Sequence, residues 1–250
     1  MPESAFVPVL IASVLAGFAT MTGIVLVSLY GHWARRNSIY FASFAAGALI
    51  SVSFLHLIPE SMEMTSNGPL YLLAGFLGLY LLNRVMHLHS GHEHNHLESA
   101  VHIAESTGVV TVLGIGFHSF IDGVIYSVTF NVSVLTGALA AIGMVLHEVP
   151  EGVIAFVILH RAGYSRKGAF LGATLAAAVS TPLGALLSFP FVDSIAAADL
   201  GLMLALAGGV LLYVGASHLL PEVERENRAS TVLALAAGVF VALVTGLIAE

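Results

Sequence analysis

The sequence predicts an all-α integral membrane protein of eight transmembrane helices, forming one domain over residues 1–250. Two observations predict it. Of the 250 residues, 58% are hydrophobic and only 9% are charged, where a soluble domain carries about a quarter charged residues. The charged residues are also gathered between apolar runs of about 20 residues or more, the length a helix needs to cross a bilayer. Helix is the expected form, because backbone groups in lipid must be paired within the segment.

The expected spans are about 5–30, 38–60, 69–88, 106–130, 134–159, 166–190, 200–222 and 230–249. The first is read as a span and not as a cleaved leader. It has no basic start, and its apolar run continues to about Tyr30. All eight basic residues lie in or beside the connections that follow spans 1, 3, 5 and 7: Arg35 and Arg36, Arg84, Arg161 with Arg166 and Lys167, and Arg225 with Arg228. The other connections carry acids, among them Glu60, Glu63, Asp193 and Asp199. The positive-inside rule then places both termini outside the cell membrane, which the chain is expected to cross many times within lipid.

Residues 44–60, FAAGALISVSFLHLIPE, align without gaps with residues 206–222, LAGGVLLYVGASHLLPE, at an offset of 162 with eight identities. Small apolar matches are cheap, but the shared His-Leu-x-Pro-Glu ending is not. With the orientation above, the first copy runs outward and the second inward. Spans 1–3 would therefore mirror spans 6–8 as inverted repeats around spans 4 and 5, a common transporter design.

Spans 4 and 5 break the apolar rule in their middles. His118 and Asp122 stand four apart, as do His147 and Glu151, with Glu148 beside them. Spacing of four puts side chains on one helical face. A charged residue at mid-membrane costs roughly 2.5–3.5 kcal/mol, so unpaired groups in this number would cost on the order of 10 kcal/mol; they usually mark an ion path. Imidazole and carboxylate suit Zn²⁺, and also Fe²⁺ or Mn²⁺. Pro150 sits inside the cluster and cannot donate to the carbonyl of Leu146. Gly114, Gly116, Gly123 and Gly152 are expected to let helices approach closely around it.

His56 with Glu60, and His218 with Glu222, form two further pairs at spacing four. Their mirrored places suggest an outer access site and an inner release site. The stretch 87–104 carries His87, His89, His92, His94, His96 and His102 on the inner side and is expected to be a metal-capturing cytoplasmic loop.

Several classes are disfavoured. With no cysteine there are no disulfides or thiolate sites. A net charge of −7 without a basic stripe gives nucleic acid no footing. His147-Glu148 begins a zinc-protease signature, but Glu151 stands where its second His belongs.

At this point the chain resembles the ZIP family of metal transporters over nearly its whole length. His118-Ser-Phe-Ile-Asp122-Gly is similar to the family's span 4 motif, His-Asn-x-x-Asp-Gly, and His147-Glu148-Val-Pro-Glu151-Gly to its span 5 motif. The resemblance implies a transporter and not an enzyme, with no prosthetic group. It implies a 3+2+3 helix arrangement, often a homodimer, and uptake of Zn²⁺, in some members Fe²⁺, Mn²⁺ or Cd²⁺, into the cytoplasm. In many members the span 4 Asn and a span 6 Glu help hold a second metal ion. Here Ser119 and Thr181 stand at those places, so one dominant central ion is expected, with Glu148 behind the ligands or a weak ligand of a second ion. The rival readings are an intramembrane zinc hydrolase, with Glu148 as base, and a metal sensor without flux.

Overall fold

The computed structural model describes residues 5–90, 100–225 and 228–249, and side chains for 5–85, 112–225 and 228–244. Among the described residues every regular element is helical. The α-helices are α1 (Phe6–Val52), α2 (Ile58–Met64), α3 (Gly68–Ser90), α4 (Ala100–Val132), α5 (Val134–Arg161), α6 (Arg166–Ala173), α7 (Ser180–Val192), α8 (Ala197–Tyr213), α9 (Leu220–Arg225) and α10 (Ala229–Ala249). Three π turns, Ser53–Leu57, Thr174–Ala178 and Val214–Leu219, join α1 to α2, α6 to α7 and α8 to α9.

Among the described residues, six stretches are long and apolar enough to cross a membrane: Phe6–Met64, Gly68–Val85, Val112–Val132, Val134–Arg161, Arg166–Val192 and Ala197–Arg225. The described part of α10, Ala229–Val244, is apolar as well. The first two expected spans run together in one 59-residue stretch, broken at Tyr30, whose backbone (φ −125°, ψ 42°) is not helical. Large apolar side chains cover outer faces of the helices, such as Leu70, Leu73 and Leu81 on α3 and Val232, Leu233 and Phe240 on α10. Such broad exposed apolar faces suit lipid and not water. The chain is a multi-pass membrane protein.

The π turns have a chemical cause. Proline lacks an N–H and its ring clashes with the carbonyl four residues back. Pro59 and Pro221 each follow a π turn by two residues, and the helix relieves the clash with i→i−5 bonds: Ile58 N–H to the Ser53 carbonyl and Leu220 N–H to the Gly215 carbonyl. These two bonds stand at the same offset of 162 as the sequence repeat. In the third turn Val179 N–H bonds the Thr174 carbonyl, upstream of Pro182. Pro150 differs: α5 stays helical through it.

Glycine contacts bring the helices together backbone to backbone. On α1 and α5, Gly23 lies against the Val149 carbonyl and Gly152 against the Thr20 carbonyl. On α4 and α7, Gly123 lies against the Thr181 carbonyl and Gly184 against that of Phe120. The later part of α1 meets α10 in the same manner (Gly47 on Leu235, Gly238 on Phe44), and α8 meets α3 (Gly209 on Leu72, Gly75 on Leu206). Gly47 and Gly209, and Phe44 and Leu206, again stand 162 apart. The residues that repeat in sequence therefore make matching contacts in space.

Contacts between connections sort the two ends of the bundle. Arg166 donates to the Ser28 carbonyl, and Arg228 to the Arg36 carbonyl at 3.0 Å. Elsewhere the Thr136 hydroxyl donates to Glu60 at 2.6 Å, Met64 lies against Gly201, and Phe6 meets Phe189 edge to face at 5.2 Å.

Candidate metal centre

His118 and Asp122 lie one turn apart on α4, and His147 and Glu151 one turn apart on α5. Close packing of the two helices turns both faces to one point. One ligand atom from each of the four side chains lies within 4.8 Å of all the others. His147 Nε2 is 3.2 Å from Asp122 Oδ2 and 3.6 Å from Glu151 Oε2; His118 Nε2 is 3.5 Å from Asp122 Oδ2 and 3.9 Å from Glu151 Oε2. Tetrahedral ligands on Zn²⁺ bonds of about 2.0–2.1 Å stand about 3.3 Å apart. The histidine–carboxylate separations of 3.2–3.9 Å bracket that spacing, and a small inward movement of the four side chains would close them round one ion.

Burial makes the group chemically needy. Asp122 is fully buried and His147 is 2% exposed. Neither Asp122 oxygen nor either His147 ring nitrogen has a hydrogen-bond partner of good geometry among the described residues. Leaving such atoms unpaired away from water costs about 1–3 kcal/mol each, more when charged. A divalent cation satisfies the inward-facing donors at once.

The two remaining candidates stand outside the four. The Ser119 hydroxyl donates to Glu151 Oε1 at 2.6 Å and so fixes that carboxylate with Oε2 toward the histidines. Glu148 is fully buried, and both its oxygens accept hydroxyls: Oε2 from Thr20 at 2.5 Å and Oε1 from Thr181 at 3.0 Å.

A cavity of about 240 Å³ opens from the centre. His118, His147, Pro150 and Glu151 line one end, and it also takes in Asn83, Tyr213, His218 and Glu222. The His218 ring lies 6.5 Å from that of His118, centroid to centroid. His56 and Glu60 do not line this cavity. His56 Nε2 is 3.3 Å from the Ala242 carbonyl on α10, and Glu60 is held by Thr136.

The backbone of α3 runs to Ser90 and that of α4 starts at Ala100, so His87, His89 and His102 continue the flanking helices. Their side chains, and all of His92, His94 and His96, lie outside the described residues. Sequence reasoning missed Thr20, Thr136, Asn83 and Tyr213. A signal for Thr20 existed: Thr20 and Gly23 match Thr181 and Gly184 at an offset of 161.

Fold and site together define a polytopic helical membrane protein with a buried His/carboxylate group of metal-binding geometry. A family profile described as ZIP zinc transporter matches residues 5–109 and 89–246. The chain belongs to the ZIP zinc transporter family, whose members are transporters and not enzymes. It is 26% identical over 282 aligned positions to zinc transporter ZIP13 of Mus musculus, covering 91% of this chain and 74% of that protein. It is 27% identical to zinc transporter ZupT of Chlorobium luteolum, covering 88% of this chain and 90% of that one. Zinc transporter YKE4 of Saccharomyces cerevisiae is 27% identical over 72% of this chain and 60% of its own length.

Proposed function

We propose that this protein carries Zn²⁺ across the cell membrane into the cytoplasm, with His118, Asp122, His147 and Glu151 as the ligands of the ion in transit. The observation that carries the reading is the convergence of those four ligand atoms within 4.8 Å, buried between α4 and α5. Relatives named as zinc transporters support zinc as the cargo. The ligand set itself also suits Fe²⁺ and Mn²⁺.

The reading includes eight crossings in a 3+2+3 order. A helical stretch of 59 residues would be about 88 Å long at 1.5 Å per residue, far more than a bilayer of about 30 Å requires. The break at Tyr30 supports reading it as two crossings. The end-to-end contacts agree. Residues 28–36 meet 166 and 228, where basic residues gather, while residue 6 meets 189, residue 60 meets 136 and residue 64 meets 201. By the positive-inside rule the first set is cytoplasmic.

In this reading the structure faces inward. The cavity links the centre to His218 and Glu222, the inner release pair, while His56 and Glu60, the outer access pair, are engaged by α10 and α5. Metal accepted from outside exchanges its water for imidazole and carboxylate. The inverted halves then shift so that the centre opens to the inner cavity, and the His-rich tract of 87–104 receives the ion. Uptake of ⁶⁵Zn²⁺ into proteoliposomes tests this. Accumulation above the external concentration-matched blank is expected, and its loss in His147→Ala. A protein that binds zinc but accumulates none is a sensor, and the proposal fails.

A further inference from the structure

Glu148 is a fully buried carboxylate beside the cargo ligands that the transport scheme does not use. Both its oxygens are taken by hydroxyls, and the two donors come from opposite ends of the sequence: Thr20 on α1 and Thr181 on α7. Thr20, Glu148 and Thr181 are all 0% exposed. The donors are also held against movement. The Thr20 carbonyl packs on Gly152, one residue past Glu151, and the Thr181 carbonyl packs on Gly123, one residue past Asp122. The helices that carry the cargo ligands thus fix the threonines, and the threonines fix Glu148.

A carboxylate in this place has two uses open to it. Turned inward it adds a ligand and a negative charge beside Asp122 and Glu151, enough to draw a second divalent ion. Turned to the threonines, its charge is met by two charge-assisted hydrogen bonds, and the centre keeps four ligands for one ion. Hydroxyls are suited to the second role because they donate to a carboxylate without adding charge.

We propose that Thr20 and Thr181 are positioning residues that hold the Glu148 carboxylate out of the cargo site, so that the centre takes a single ion at a time. The inference rests on the proposed metal centre. It predicts that removing both hydroxyls releases Glu148 and converts a one-ion centre into a two-ion centre.

The test uses the full-length purified protein loaded with Co²⁺, since two Co²⁺ ions bridged by a carboxylate couple their spins and ions scattered on the His-rich tract do not. Wild type should give an uncoupled spectrum. Thr20→Val with Thr181→Val should bind about one more Co²⁺ per chain and show a coupled, parallel-mode EPR signal. Thr20→Ser with Thr181→Ser should behave as wild type. If the double valine variant does not fold, the single valine variants carry the test, each with a weaker coupled signal. A coupled pair in wild type overturns the proposal, and so does a folded valine variant with one uncoupled ion. His147→Ala separates the premise: if it leaves the wild-type central Co²⁺ spectrum intact, the metal centre itself is misplaced.

Discussion

The imidazole of His218 lies 6.5 Å from that of His118, ring centre to ring centre, at an angle of 32°. The His218 and Glu222 pair therefore begins one side chain away from the centre, within the same cavity. A metal ion leaving His118 has a ligand of the same kind within a single step. His218→Ala should slow release more than loading. Turnover is expected to fall roughly tenfold, about 1.4 kcal/mol, with KM changed much less. Initial rates of ⁶⁵Zn²⁺ uptake over a concentration series check it; an effect confined to KM would assign His218 to loading.

Asp122 carries the heaviest demand at the centre. It is fully buried, has no hydrogen-bond donor of good geometry among the described residues, and its Oδ2 faces both histidines. Asp122→Asn keeps the shape and removes the charge. Groups that merely support metal ligands cost 10–100-fold in affinity when changed, so loss of a ligand should cost at least about 100-fold. Competition of Zn²⁺ with a chromophoric chelator, on protein shown to be folded by circular dichroism, measures it.

The sequence already carried the spacing of His118, Asp122, His147 and Glu151, because a helix of 3.6 residues per turn needs no further information to put such pairs on one face. It carried the repeat as well, since His-Leu-x-Pro-Glu recurs at one offset, and the π turns before Pro59 and Pro221 repeat it in the backbone. What it hid were the partners. Thr20 and Thr136 read as ordinary small residues in apolar helices, and only packing between distant segments brings them onto Glu148 and Glu60. The break at Tyr30 falls where the first apolar run ends, but the continuity of the helix beyond it was hidden. The turn after it is rich in polar residues, yet the helix resumes at once and continues into the next span.

Acid should weaken uptake. Imidazole nitrogen and carboxylate oxygen bind a metal ion only when deprotonated, so protons and metal compete for His118, His147, Asp122 and Glu151. Affinity drops by up to about tenfold per pH unit for each proton that the ion displaces. Zn²⁺ affinity measured from pH 8 downward should therefore fall monotonically. A flat profile would mean that none of the four exchanges a proton for the ion.

On the opposite side, Glu60 is tied to the start of α5. The Thr136 hydroxyl donates to it at 2.6 Å, and Ser133 caps the helix by accepting the Thr136 N–H at 2.9 Å. The bond joins α2 to α5 at the end of the bundle proposed to be outer. A hydrogen bond to a charged group is worth about 1.5–3 kcal/mol. Thr136→Val should therefore raise hydrogen exchange in residues 58–64 by about tenfold or more in lipid nanodiscs, while exchange in α8 stays as in wild type. Unchanged exchange in residues 58–64 would show that the bond does not hold α2 against α5.

Gly152 follows Glu151 and lies against the Thr20 carbonyl; Gly123 follows Asp122 and lies against the Thr181 carbonyl. A methyl group at either place collides with backbone, which has no rotamer by which to yield. Overpacking of this kind typically costs 1–3 kcal/mol, occasionally more. Here the cost falls on the two contacts that seat α4 and α5 against α7 and α1. Gly152→Ala and Gly123→Ala should each lower the melting temperature and the affinity for Zn²⁺ together, since the ligands next in sequence must move with the helix. Gly78→Ala is the control: no atom stands within 4 Å of its added carbon, and alanine favours helix over glycine by about 0.8–1.0 kcal/mol. Its melting temperature should hold or rise. Thermal unfolding of the three variants with and without Zn²⁺ separates a packing defect at the centre from a general weakness of the bundle, because only a defect at the centre also shrinks the stabilisation that zinc provides.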